Sequence, residues 1–238
     1  MLFCKGEYMK IKNPFRDLTR FEVGLWLLSV VVIIASYAIS RGGDLLTMIA
    51  SLIGVTALIF VAKGYVLGQM LTVAFAVFYG IISFFFSYYG EMITYLFMTA
   101  PIAIVTVIEW IRHPYEGTKE VQVSHLTRTM KIVMVIGAIL STVAFYFILG
   151  ALGNANLIVS TLSVTTSFVA SYLTFCRSPY YALAYAANDI VLIILWVLAT
   201  LTSISYLPMV FCFVMFFAND IYGFYNWKRM QKRQGEKG

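Results

Sequence analysis

Eight uninterrupted apolar runs, each long enough to cross a bilayer as a helix, constrain this chain more than any other feature. A hydrocarbon core about 30 Å thick takes about 20 residues of α-helix, and an α-helix satisfies its own backbone there. The runs cover approximately residues 21–40, 45–62, 66–87, 92–111, 132–149, 157–176, 180–200 and 206–227. Composition agrees: 61% of the 238 residues are hydrophobic, 12% are charged and the mean hydropathy is +0.86, more apolar surface than a water-soluble domain of this size hides. The first 20 residues are polar and basic, the run after them is too long for a signal-peptide core, and no convincing small-residue cleavage site accompanies it. It is therefore expected to stay as a transmembrane helix.

The charges set an orientation. Connections are short except for residues 112–131, which carry Pro114, Glu116-Gly117, both histidines (His113 and His125) and mixed charge, and read as a soluble linker between two halves. Of the 17 Lys and Arg, 16 fall on one side: Lys5, Lys10, Lys12, Arg16 and Arg20 in the amino-terminal tail, Lys63, Arg112, Lys119, Arg128, Lys131 and Arg177 after the second, fourth and sixth runs, and Lys228, Arg229, Lys232, Arg233 and Lys237 in the carboxyl tail. Arg41 falls on the other. Cytoplasmic connections hold the excess of Lys and Arg, so both termini are expected in the cytoplasm. The same bias explains the net charge of +6 without nucleic acid. Cys4, Cys176 and Cys212 show no disulfide or zinc spacing, no phosphate loop is present, and the two histidines have no ligating companions. No catalysis, metal or cofactor is expected.

Two runs carry an Asn-Asp pair that lipid does not tolerate, Asn188-Asp189 in the seventh and Asn219-Asp220 in the eighth. A carboxylate near the bilayer centre costs roughly 2.5–3.5 kcal/mol on insertion scales and is normally kept only facing a bundle interior or a watery cavity. Asp189 lies about ten residues, or about 15 Å, into its helix, near the midplane. It is either an acceptor for substrate hydroxyl or amine groups or a polar clamp between helices. Asn188 points about 100° away, so the two are expected to face different spots, one binding and one holding the bundle. Asn219 and Asp220 lie about two turns from the cytoplasmic end. Tyr79, Tyr185, Trp196 and Tyr222 suit stacking on a planar ring or ordinary packing. Trp110 and Trp227, each just before a basic stretch, read as interfacial anchors, and Glu91 and Glu109, near run ends, as snorkelling or solvated groups. The hydroxyl-rich run Ser160-Thr161-Leu162-Ser163-Val164-Thr165-Thr166-Ser167 allows close helix approach or wets a cavity. Gly54, Gly64, Gly68, Gly80 and Pro101 mark close contacts or kinks.

The second to fourth runs can be laid over the sixth to eighth. Lys63 falls near Arg177 at an offset of 114, while Tyr79 falls on Trp196 and Trp110-Ile111-Arg112 on Trp227-Lys228-Arg229 at 117. Both units start outside and end inside, as parallel repeats that create a transport site between them. The expected fold is all-α and integral to the membrane, with about eight transmembrane helices: two parallel three-helix repeats joined by a linker helix (3+1+3) plus an extra amino-terminal helix. The divisions are 1–43 for the tail and extra helix, 44–112 for the first repeat, 113–155 for the loop and linker helix, 156–228 for the second repeat and 229–238 for the basic tail.

Lys63-Gly64, Tyr79, Tyr89-Gly90-Glu91, Pro101 and Trp110 in the first unit, with Ser167, Tyr185, Asn188-Asp189, Trp196, Asn219-Asp220, Tyr222-Gly223 and Trp227 in the second, resemble the PnuC family of bacterial vitamin-precursor and nucleoside transporters, which share the SWEET sugar-transporter architecture. The resemblance covers about residues 45–227. It implies facilitated diffusion of a nucleoside-like solute, commonly nicotinamide riboside, across a bacterial cell membrane. It also implies trapping by a cytoplasmic kinase and assembly as a homotrimer. The expected substrate-binding set is Tyr79, Tyr185, Asn188, Asp189, Trp196, Asn219, Asp220 and Tyr222. Nicotinamide riboside carriers of the family typically have a Trp-x-x-Trp pair at the start of the seventh helix, with a polar residue four positions after the second Trp. If that residue is Asp189, the pair falls on Ala182 and Tyr185. An aromatic clamp for a cationic pyridinium is then weakened, and a branch carrying ordinary nucleosides or deoxyribonucleosides comes forward. Proton-coupled symport of a precursor such as thiamine is the alternative, and a membrane scaffold or enzyme using the 112–131 loop a remote one.

Overall fold

The computed structural model describes residues 13–40, 45–85, 89–154 and 156–235; Cys4, Lys5, Lys10, Lys12, Arg41 and Lys237 lie outside them. Its helices are α1 (Arg20–Ile39), α2 (Leu45–Ala62), α3 (Val66–Phe85), α4 (Tyr89–Thr94), α5 (Ala100–Arg112), α6 (Arg128–Ala151), α7 (Leu157–Phe175), α8 (Tyr181–Thr200) and α9 (Leu207–Gly235). A π-helical turn, Tyr95–Thr99, joins α4 to α5 into one crossing. Among the described residues eight helices are long and apolar enough to span a membrane, as the eight runs foretold.

Backbone chemistry sets the ends. Thr19 and Glu22 cap α1 reciprocally, the Glu22 amide donating to Thr19 Oγ1 (3.2 Å) and the Thr19 amide to Glu22 Oε2 (2.6 Å). Thr127 caps α6 by accepting from the Met130 amide (3.2 Å), so that helix begins a turn before its apolar run. α2 stops where Gly64 turns left-handed (φ 69°), letting the Gly64 and Tyr65 amides donate to Val61 O and Phe60 O (2.8 and 2.9 Å). α7 stops the same way at Arg177 (φ 55°), with the Arg177 and Ser178 amides on Thr174 O and Leu173 O (both 3.0 Å). The π turn sits just ahead of Pro101, which has no amide hydrogen for the preceding turn.

Packing closes a ring: α2 on α3, α3 on α5, α5 on α7, α7 on α8, α8 on α9 and α9 back on α2. α1 lies outside against α2 and α9, and α6 outside against α7, with Ile136, Ile139, Leu140 and Phe147 exposed. The glycines permit the close seams. A Cβ on Gly68 would stand 2.4 Å from the Val61 amide nitrogen, where α3 turns back on α2.

Three side chains expected at the membrane surface lie inside. Trp110 and Trp227 pack with ring centroids 5.4 Å apart, and their indole N–H groups donate to Thr174 O (3.1 Å) and Val61 O (2.9 Å). The last turn of a helix leaves carbonyls without an amide partner four residues on, and α7 and α2 offer theirs here. Neither indole is an interfacial anchor. Glu91 is buried too, accepting from Ser163 Oγ (3.2 Å), because α4 starts at Tyr89 and carries it against α7. Glu109 is half-exposed and pairs with His113 (3.2 Å) and Arg177 (3.4 Å).

Candidate functional site

Two apolar clusters fill the ring. Towards the end that bears the basic loops, Val61, Trp110, Leu173, Tyr181 and Trp227 pack together; beyond them Phe75, Tyr79, Tyr95, Trp196, Phe213 and Phe216 do the same. At their junction is an internal cavity of about 50 Å³, walled by α2, α3, the π turn, α8 and α9. Gln69, Thr72, Thr99, Asn188, Asp189 and Asp220 line it, with Tyr95, Tyr181 and Tyr185 and the rings of Phe75, Phe213 and Phe216. Among the described residues no Lys, Arg or His borders it.

The cavity's chemistry is acidic and aromatic. Asp189 and Asp220, on the facing helices α8 and α9, both border the cavity. Asp189 Oδ2 and Thr99 Oγ1 are buried and have no hydrogen-bond partner among the described residues. A buried polar atom left unpaired costs about 1–3 kcal/mol, so two facing one cavity mark where a solute's polar groups would be stabilised. Tyr185 pairs its hydroxyl with Ser171 (3.2 Å). The wall formed by Phe216 depends on Gly54, where a Cβ would stand 2.3 Å from Phe216 Cζ.

Asn188 has two placements that were expected to fall to different residues. It borders the cavity beside Asp189, and its Oδ1 accepts from Thr166 Oγ1 (2.7 Å) and Ser167 Oγ (3.0 Å), tying α7 to α8. A helix face turned to a core spans about 100° or more, so the angle between neighbouring residues does not exclude either. The rest of the hydroxyl-rich run also links helices, through Ser163 to Glu91 and Thr165 to Thr142 (2.6 Å).

Of the eight expected binding residues, Tyr185, Asn188, Asp189 and Asp220 border the cavity and the other four do not. Trp196 Nε1 donates to Tyr79 OH (3.1 Å) in the outer cluster, where Tyr79 backs the cavity-lining rings of Phe75 and Tyr95. Asn219 Nδ2 donates to Ser29 Oγ (3.0 Å) and Met215 O (2.7 Å), tying α9 to α1. Tyr222 donates to Glu22 Oε1 (2.7 Å), the carboxylate that also meets Lys63 Nζ (3.1 Å). Gln69, Thr99, Tyr95 and Tyr181 enter the cavity without having been singled out. Only Gln69 carried a usable signal, an amide within an apolar run, the argument already applied to Asn188.

A family model described as nicotinamide mononucleotide transporter matches residues 44–229, the ring together with α6. The chain belongs to this family, PnuC. It is 28% identical over 227 residues to the nicotinamide riboside transporter PnuC of Neisseria mucosa, covering 93% of this chain and 86% of that one. With the nicotinamide riboside transporter PnuC of Haemophilus influenzae it shares 24% identity over 216 residues, 90% and 92% of the two chains. Its fold is similar to the crystal structure of the vitamin B3 transporter PnuC, with a TM-score of 0.79 and 25% identity over 91% of this chain and 94% of that one. These relatives are named as transporters, not enzymes, and the present chain is a multi-pass membrane protein of their family.

Proposed function

We propose that this protein is a facilitator for a nucleoside-like solute, nicotinamide riboside first, which it binds in the cavity bordered by Asp189, Asp220 and Tyr95. The observation that carries the reading is a pair of buried carboxylates facing an aromatic-walled cavity within the spanning helices, with Asp189 Oδ2 unpartnered. A planar cationic ring finds there an anionic site without a competing cation, and aromatic faces suited to it. Asn188, Gln69 and Thr99 supply hydrogen bonds for sugar hydroxyls. The names of the two curated relatives support the same solute. A second reading, uncharged nucleosides or deoxyribonucleosides, is favoured if Asp189 is the polar residue that follows the family's Trp-x-x-Trp pair, for that pair then falls on Ala182 and Tyr185.

The basic end faces the cytoplasm by the distribution of Lys and Arg, with both termini on that side of a bacterial cell membrane. The cavity, at about 50 Å³, is far below the roughly 300–1,000 Å³ of small-molecule pockets, so solute enters as the walls part. Separation of Trp227 from Trp110 and Val61 opens the inner cluster, separation across Tyr79 and Trp196 the outer one, and alternation between the two moves the solute. Inward flux follows the gradient kept by a cytoplasmic kinase. A homotrimer shields part of the exposed apolar surface.

The test is uptake into proteoliposomes of nicotinamide riboside, thiamine, ribonucleosides and deoxyribonucleosides, repeated with A182W/Y185W and with a protonophore. Nicotinamide riboside uptake indifferent to the protonophore supports the first reading. Preference for uncharged nucleosides, shifted towards nicotinamide riboside by A182W/Y185W, supports the second. Collapse with the protonophore replaces facilitation by proton coupling, and uptake of none of these solutes contradicts both readings.

A further inference from the structure

A second cavity, of about 760 Å³, opens at the basic end between α1, the α2–α3 turn, the linker and α9, and shares no lining residue with the first. Four cations face it: Lys63 from the turn, and Arg229, Lys232 and Arg233 from α9. The α9 cations are three and four positions apart and share one helix face. The two carboxylates in its wall are engaged. Glu22 accepts from Lys63, Tyr222 and the Thr19 amide, and Glu120 pairs with Arg233. Arg229 is different. Its guanidinium stands over the Tyr225 ring (5.8 Å) and has no hydrogen bond or ion pair with a described residue. Phe21 and Tyr225, 63% and 61% exposed, flank the opening, as aromatic residues do at a membrane surface.

We propose that this cavity binds a phosphate group, with Arg229 as its principal ligand and Lys232, Arg233 and Lys63 around it. Lys63 and Arg233 are paired with Glu22 and Glu120, so the charge that meets a phosphate is carried chiefly by Arg229. The planar guanidinium fork matches two phosphate oxygens at once. The cavity is roomy enough for either source of that chemistry, the headgroup of an anionic phospholipid or a soluble phosphate ester. Cations drawn from both α9 and the α2–α3 turn, around one open hollow, distinguish it from the single basic helix face that a cytoplasmic tail ordinarily shows. This site is independent of which solute the central cavity carries.

The experiment uses the full chain in two settings and reads its melting temperature. Detergent-solubilised protein is titrated with inorganic pyrophosphate, and the same protein is compared in nanodiscs of phosphatidylcholine with and without phosphatidylglycerol. At least one addition is expected to raise the melting temperature. R229Q/K232Q should weaken the apparent affinity on the order of tenfold or more, as loss of charge-assisted hydrogen bonds implies. R128Q/K131Q, an equal charge change at the start of α6, should leave it unaltered. All four side chains are exposed, so folding is not at stake. A response to pyrophosphate alone assigns a soluble ester, a response to phosphatidylglycerol alone a lipid headgroup, and a response to both upholds the shared phosphate chemistry. No response to either overturns the proposal, and so does an undiminished response in R229Q/K232Q or an equal loss in R128Q/K131Q.

Discussion

Asp189 and Asn219 are both polar intrusions into apolar helices, yet their partners give them opposite work. Each keeps one buried oxygen unpartnered, but only Asp189 borders the cavity, whereas Asn219 donates to Ser29 and Met215 away from it. D189N should therefore lower solute uptake about tenfold to a hundredfold, the value of one hydrogen bond to a charged group, while the melting temperature holds or rises. N219A should do the reverse, costing about 1 kcal/mol of stability with transport kept; proteoliposome uptake beside thermal unfolding separates the two. The sequence showed that these residues need polar surroundings. It could not show which surroundings, because Ser29 lies 190 positions from Asn219 and no local pattern records the pairing. Outside the membrane, Asp17 is held below the ordinary carboxyl range by the hydrogen bond from Lys119 and, after a small opposing effect of burial, by that residue's charge. A depressed carboxyl contributes above its unfolded value of about 3.9 and loses that contribution as pH falls through its folded value. Hydrogen exchange at residues 113–127, corrected for intrinsic rates, should thus be level from about pH 5 to 8 and rise below about pH 4. D17N should raise it from about pH 5 to 8 and remove the rise below about pH 4.

At the scale of elements, helix existence was legible and helix contacts were not. Length and hydropathy located α2 from Leu45 to Ala62 without error, and Pro101 announced an irregularity that the structure resolves as the π turn Tyr95–Thr99. The same turn presents Tyr95 and Thr99 to the cavity. P101A, by returning an amide hydrogen, should favour a regular α turn there and raise the KM for uptake with little loss of stability. Trp227 shows where local reading fails. A tryptophan before Lys228 has the same sequence signature at a membrane surface as in a core, and what decides is a carbonyl of α2 waiting 166 positions away. W227F removes that donor while Val61 O keeps the Gly64 amide, so the lost hydrogen bond should cost about 1 kcal/mol, measured by urea or thermal unfolding in detergent. G54A sets a methyl group 2.3 Å from Phe216 Cζ, so the ring must shift in the cavity wall, and solute affinity should fall more than stability does.

The whole molecule is a ring closed by α9 on α2, and that closure makes a site from residues that are remote in sequence, Gln69, Tyr95, Asp189 and Asp220. The positions paired by the 117-residue offset, Tyr79 with Trp196 and Trp110 with Trp227, touch each other, one pair in each of the clusters that bound the cavity. The number of crossings could be read from hydropathy. The composition of the site could not, because Tyr95 and Tyr181 look like any other aromatic residue in a chain that is 16% aromatic. The most direct measurement is a structure of the protein in lipid with nicotinamide riboside at saturating concentration. The expected result is density for the solute between the carboxyl groups of Asp189 and Asp220 and the ring of Tyr95, in a cavity widened well beyond about 50 Å³. Solute density elsewhere, with the walls around Asp189 unmoved, would contradict the account.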